Sequence, residues 1–158
     1  MSAAEEPEIR LAGAEDADEV TRLIAAFRDF YDDREPPDSL IAETVAELLA
    51  DPSTEFLLAG RPAVAVAQLR YRLSLWTGSE DAWLEDLFVA EAARGRGVGR
   101  ALVEASAERS RARGCKRLQL DTNETNAAAL ALYERAGFVT AKRPEDAGRD
   151  LYLTLRLE

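Results

Sequence analysis

"WLEDLFVAEAARGRGVGRAL", residues 83–102, runs from an apolar strand pattern through a cluster of glycines and arginines toward a helix start. Its first part belongs to a strand expected over 82–90, with Glu85 and Asp86 set among apolar neighbours. Arg94, Arg96 and Arg100 then interleave with Gly95, Gly97 and Gly99. A helix is expected from Val98 to about residue 112, closed at Gly114 in the manner of a C′ glycine. Glycine lets a backbone approach a ligand with no Cβ in the way. The first turn of a helix offers N–H groups without intrahelical acceptors and a partial positive charge. Strand, glycine turn and helix start together make a cradle for phosphate oxygens.

Spacing removes two other phosphate loops. A P-loop needs Gly, four residues, then Gly-Lys-Ser/Thr, and no lysine stands here. A dinucleotide fingerprint needs Gly-x-Gly-x-x-Gly; counted from Gly95 it ends on Arg100, and from Gly97 on Leu102. The expected ligand is a phosphate or pyrophosphate held by backbone amides.

The totals bound the rest. A chain of 158 residues suits one domain, here 8–158, behind a loose tail over 1–7. Lys and Arg number 20 against 30 Asp and Glu, a net charge of −10, which argues against nucleic acid or an anionic membrane as partner. No apolar run approaches the roughly 20 residues of a spanning helix. The first ten residues lack the basic and apolar parts of a signal peptide, and Cys115 is the single cysteine, so a cytoplasmic location is expected. There is no histidine, which removes the commonest general base and the usual zinc ligand; no metal site is expected.

Outward from the glycine turn the chain reads as alternating elements. A strand is expected over 8–12 and an amphipathic helix over 15–32, on which Val20, Leu23, Ile24, Phe27, Phe30 and Tyr31 recur at helical spacing. A second helix follows over 39–50 with Ser39 as N-cap. Strands over 54–59 and 63–74 form a hairpin, and 76–81 reads as a loop. Beyond the glycine helix come a strand over 116–122, a helix over 124–136 ended by Gly137, and two closing strands over 138–142 and 150–158. The order β-α-α-β-β-β-α-β-α-β-β favours an α+β fold with a mixed sheet.

Arg94-x-x-Gly97-x-Gly99, after "WLEDLFV" and opening a helix, resembles the acetyl-coenzyme A loop of the GNAT superfamily of N-acetyltransferases. About thirty residues on, "NETNAAALALYERAGF" is similar to that family's second signature, and the order of elements matches along nearly the whole chain. The resemblance implies a mostly antiparallel twisted sheet with about four helices, in which the strand 82–89 splays from the strand 116–121. Acetyl-coenzyme A would lie in that gap, its pyrophosphate on the amides of 95–100 and its pantetheine arm along Leu87, Phe88 and Val89. It implies contact of Asn126 with the arm, and a Tyr133 that donates a proton to the leaving thiolate. A homodimer is a further expectation of the family, through the C-terminal strands.

An amine arrives as an ammonium, with pKa near 10, and must lose a proton before it attacks. Glu85 is the expected base, since burial in an apolar strand raises a carboxylate's pKa toward the useful range. Its "LED" context resembles the diamine-acetyltransferase branch. Asp86 points to the opposite face in a regular strand, an assignment that a bulge would blur. Asp29, Asp32, Asp33, Glu35, Glu80 and Asp81 form a candidate acidic rim. Tyr31, Tyr71, Arg72 and Trp76 are candidates for lining the acceptor pocket, although Arg72 would oppose a polycation. Cys115 reads as a small buried residue. The expected function is acetyl transfer to a primary amine. A silent coenzyme A–binding module and a nucleotide-binding interaction protein are the competing readings.

Overall fold

The structure, a computed structural model, describes residues 7–140 and 151–157. Strand β1 (Ile9–Leu11) leads through a single 3-10 turn, Ala14–Asp16, into α1 (Ala17–Phe30) and α2 (Asp38–Ala50). Strands β2 (Thr54–Ala59), β3 (Ala65–Ser74) and β4 (Ser79–Val89) follow as a meander. Helix α3 (Val98–Ala112), a short β5 (Leu118–Gln119) and α4 (Ala127–Arg135) complete the described elements. The sheet order is β1-β2-β3-β4-β5, antiparallel throughout except for the parallel pair β4–β5. This is the mixed α/β architecture expected.

Both faces of the sheet are covered, which is why β2 and β3 read as nearly continuous apolar runs. Phe56, Leu58, Val66 and Phe88 face α1 and α2, packing on Val20, Leu23, Ile41 and Val45. Leu57, Leu69 and Leu84 face the other way, onto Val98, Leu102 and Val103 of α3. Truncating one such leucine to alanine costs about 2–5 kcal/mol. Helix α3 also buries Ser106 and Ser110, whose hydroxyls each donate to the carbonyl four residues earlier at 2.7 Å, so neither is left unpaired.

Several boundaries differ from expectation. Helix α2 begins at Asp38 with Pro37 as N-cap: the Pro37 carbonyl accepts from Leu40 and Ile41, and Ser39 falls inside the first turn. The loop expected over 76–81 shrinks to the four-residue turn 75–78, because Leu73↔Glu80 and Arg72↔Asp81 extend the ladder. The strand expected over 116–122 pairs only at Ala82↔Leu118 and Trp83↔Gln119. Of the two closing strands, 138–140 and 151–157 carry no strand pairing among the described residues, and the rest of both segments lies outside them. Leu151, Leu153, Leu155 and Leu157 are all exposed.

Candidate functional site

The expected gap is present. After Trp83↔Gln119 the two parallel strands part, and β4 runs on to Val89 with no partner on that side among the described residues. The chain leaves β4 through a 3-10 turn, Glu91–Ala93, and enters the glycine segment. Gly95 and Gly97 adopt φ of +74° and +79°, the left-handed region that an L side chain reaches only under strain. A Cβ built on either would meet nothing within 4 Å, so conformation and not crowding requires glycine in the chain itself.

Gly97 is the N-cap of α3 and has no side chain to cap with. The first bond of the helix runs from Ala101 N–H to Gly97 O at 3.0 Å. The N–H groups of 95 to 99 donate to no acceptor among the described residues, and no acid occupies the first turn. These five donors stand at the positive end of a 15-residue helix, where a diphosphate would find acceptor-free N–H groups.

The glycines divide the work. At Gly99 a Cβ would stand 3.3 Å from Leu132 Cδ2 and 3.7 Å from Val89 Cγ2. The end of β4, the start of α3 and the inner side of α4 converge on that glycine. The Val98 side chain is core, so its contribution to a ligand is its N–H. Phe88 is core as well, stacked on Phe27 at 5.4 Å. Arg94 does not lie free over the turn. Its Nε donates to Val89 O at 2.9 Å, and its guanidinium sits 4.5 Å from the Phe30 ring centre, pinning the turn to α1. The backbone contact expected at Val89 is thus shared with that side chain. Arg100 Nε bonds Glu104 at 2.7 Å. Leu87 is half-buried beside the gap.

The two acids of β4 sit on a bulge. Leu84 pairs with Leu69 and Asp86 with the next residue back, Gln68, so Glu85 is the extra residue. Glu85 is exposed, and the burial expected to act on it acts on Asp86 instead. Burial, with the nearby charges of Glu85 and Asp121, pushes the Asp86 carboxyl up to about 6. Gln68, its cross-strand partner, is buried, and the neighbouring Val66↔Phe88 pair faces α1 and α2. Asp86 shares that face.

Asn126 is the N-cap of α4; its Oδ1 accepts from Ala129 N at 3.2 Å. Tyr133 lies two turns on, half-buried, and burial followed by the adjacent Tyr31 phenol pushes its own hydroxyl pKa up. The end of α4 explains the Gly-Phe of the sequence signature. Gly137 takes φ +94°, Phe138 N–H bonds back to Tyr133 O at 3.0 Å, and the two rings meet edge-on at 5.7 Å. This is a Schellman closure with its apolar contact, and it braces the Tyr133 ring.

Other expectations about the acceptor side need correction. Tyr71 is buried, donates to Glu55 at 2.9 Å and carries Arg113 4.0 Å above its ring; it belongs to the α3 face of the core. Trp76 sits in the β3–β4 turn, at the opposite end of an 11-residue strand from the glycine turn, about 30 Å away at ~3.3 Å per residue. Glu80 and Asp81 lie at that same far end, held by Arg113 and Arg117. Tyr31 does stay with the site, exposed and packed on Phe27 and Phe30. Phe27, Phe30 and Asp121 also border the site, through Phe88, Arg94 and Asp86 in turn; in the sequence the two phenylalanines read only as part of the apolar stripe of α1. A hollow of about 390 Å³ along α1, lined by Asp18, Thr21, Arg22 and Asp38 among others, involves none of the glycine-turn residues. Cys115 is half-buried, its thiol pKa raised by burial.

The chain thus has a mixed sheet whose one parallel pair parts beside a glycine turn at a helix N-terminus. The sequence profile of the acetyltransferase (GNAT) family matches residues 18–138. The chain belongs to that family. It is similar to streptothricin acetyltransferase of Streptomyces lavendulae, 37% identical over 81 residues, 51% of this chain and 38% of that protein. It is 37% identical over 106 residues to aminoglycoside N(6′)-acetyltransferase type 1 of Klebsiella aerogenes, covering 63% of this chain and 68% of that one. Among solved structures, a candidate acetyltransferase from Arthrobacter sp. FB24 superposes with a TM-score of 0.85 at 29% identity, over 99% of this chain and 100% of the other.

Proposed function

We propose that this chain transfers the acetyl group of acetyl-coenzyme A to a primary amine by direct attack within a ternary complex. The observation that carries the reading is the row of unpartnered N–H groups at 95–99, set where β4 and β5 part, with the raised carboxyl of Asp86 on the splayed strand. Acetyl-coenzyme A supplies an activated acetyl thioester. The N–H row holds its diphosphate, with charge from Arg96 and Arg100, and Leu87 and Val89 align its arm as an added strand would. Asn126 fixes the start of α4, and Gly99 lets that helix close on the turn.

The proton chemistry falls to two groups. Asp86, ionised above a pKa of about 6, accepts a proton from the arriving ammonium, directly or through a water. Glu85, the acid singled out by sequence, adds negative charge that draws a cation and holds the pKa of Asp86 up. The Tyr133 hydroxyl, kept protonated by burial, donates to the leaving sulfur. A nitrogen acceptor is consistent with the N(6′) in the name of the Klebsiella relative. A small cationic amine suits the acids of β4, and the aromatic end of α1 supplies an apolar wall. A cytoplasmic place of action belongs to the same reading, on the strength of the single cysteine.

The test is an acceptor screen. The full chain is incubated with acetyl-coenzyme A and a panel of polyamines, lysine-like amino acids, aminoglycosides and peptides, and free thiol is followed. Amine-dependent thiol release is expected. Saturable acetyl-coenzyme A binding with no release for any amine would establish a silent binding module instead. Equal affinity for ATP and acetyl-coenzyme A would favour a nucleotide-binding role.

A further inference from the structure

We propose that Gln68 grips the one N–H of the acceptor nitrogen that acetyl transfer leaves in place, and so selects primary amines over N-alkylated ones. On β3 its neighbours Ala67 and Leu69 pack on the α3 side, and Val66 packs on the other. Alternation puts Gln68 with Val66, on the face toward α1 and α2. The ladder gives it Phe56 of β2 on one flank and Asp86 of β4 on the other. Its polar neighbour across the sheet is thus the carboxylate that the proposed reaction uses as base.

Gln68 is 6% exposed, yet its side-chain amide has no hydrogen-bond partner among the described residues, Asp86 included. The fully enclosed polar atoms without a partner are Arg10 Nε and Thr54 Oγ1, so the amide head of Gln68 keeps part of that exposure and a ligand can reach it. Other buried polar side chains are paired: Ser74 and Asp81 accept from Arg117, and Ser106 and Ser110 donate within α3. A buried amide left without a partner is costly. Two polar head groups therefore stand side by side on one face, and neither bonds the other. An ammonium, which only donates, satisfies both at once.

A primary ammonium carries three N–H bonds, and the product amide keeps one. Asp86 takes the first proton, and the freed lone pair bonds to the thioester carbonyl carbon. The carbon–sulfur bond breaks, its electron pair leaves on sulfur, and the sulfur takes the Tyr133 proton. The second nitrogen proton returns that phenolate to a phenol. The third N–H stays throughout, and the Gln68 carbonyl accepts it. A neutral amide exchanges no proton, so it holds the nitrogen equally before and after Asp86 is protonated. A secondary amine loses both of its N–H bonds and has none left for Gln68. A buried group built to be bonded rejects an acceptor that cannot bond it. Selection of this kind presupposes the acetyl transfer proposed above, with Asp86 as base.

The full chain is assayed for thiol release with n-butylamine and N-methylbutylamine, and with the best amine of the acceptor screen beside its N-methyl form. The native chain should prefer each primary amine by at least about tenfold in kcat/KM. Gln68→Met keeps the size of the side chain and removes the acceptor. It should lose at least about tenfold on the primary amine, stay within about twofold on the N-methyl form, and keep its acetyl-coenzyme A affinity and melting temperature. A primary-amine rate that Gln68→Met leaves intact, or a preference that survives it, would overturn the proposal. A second measurement needs no turnover. Gln68 and Gln119 are the only glutamines, so Gln119→Glu leaves one glutamine side-chain amide in the NMR spectrum. Its signals should move as n-butylammonium is added and stay in place with tetramethylammonium, which has charge but no N–H. Signals that n-butylammonium leaves in place would overturn the proposal as well. Should no amine release thiol while those signals move, acetyl transfer falls and the ammonium grip stands. Should Gln68→Met fail to fold, the NMR titration decides.

Discussion

Asp86 is charged near neutral pH at a cost. Its pKa lies at about 6, above the ordinary aspartate value, so the folded chain keeps a proton there that the unfolded chain has already released. Stability therefore falls as pH rises from about 4 to about 6 and levels off above. Asp86→Asn should remove this cost, raising stability near neutral pH by up to about 3 kcal/mol, with no gain below about pH 4. Thermal unfolding at the two pH values checks it. The same change should abolish the acid limb of the rate profile and most of the turnover. Glu85→Gln removes a repelling charge and should only move that limb to lower pH; if it abolishes the limb, Glu85 is the base. Tyr133→Phe should lower turnover by about 10²-fold or more while acetyl-coenzyme A affinity, read by calorimetry, stays unchanged. The sequence shows that an acid pair sits in an apolar strand. Which of the two is buried depends on the count of residues in the facing strand, and that is not written in the pair itself.

At the scale of elements, the glycine turn and α3 make the part most legible beforehand. Glycine at a strand-to-helix corner has few physical meanings, and the helix runs over Val98–Ala112 as expected. What the spacing does not reveal is that its glycines act differently. At Gly97 a side chain has room but meets an unfavourable φ of +79° and projects over the N–H row. Gly97→Val should cost about 1–2 kcal/mol in stability and reduce acetyl-coenzyme A affinity at least about tenfold, the equivalent of 1.4 kcal/mol. At Gly99 the backbone is unstrained and the obstacle is Leu132, so Gly99→Val should push α4 away and lower the melting temperature before it touches affinity. A calorimetric titration beside a melting curve for each variant separates the two. The expected closing strands show no pairing among the described residues. Alternating leucines announce an extended segment, yet they do not say which edge will receive it.

Across the whole molecule, ion pairs fasten the end of α3 and the strand after it to the sheet. Arg109 Nε bonds Glu55 at 3.0 Å, Arg113 Nε bonds Glu80 at 2.7 Å, and Arg117 Nε bonds Asp81 at 3.0 Å. Burial pushes the Glu55 carboxyl up, but its hydrogen bonds from Arg109 and Tyr71 outweigh this and hold it below the usual range. Arg113 and Arg117 lower Glu80 and Asp81 in the same way. Carboxyls held below their ordinary values stabilise the fold above about pH 4, and that contribution is lost as pH falls through the lowered values. Unfolding should therefore set in on acidification below about pH 4, and Glu55→Gln should lower the melting temperature near neutral pH while flattening that acid decline. This brace occupies the end of the sheet away from the glycine turn, and it takes up Tyr71, Glu80 and Asp81, which the sequence suggests for the acceptor side. Proximity along a strand says nothing of which end faces the chemistry. The bulge in β4 carries one more implication. Since the ladder is regular on both sides of Glu85, excising that single position would let Leu84 and Asp86 become neighbours in an ordinary strand with every other pairing kept. The chain could then be straightened by one lost codon, and the two carboxylates would become one.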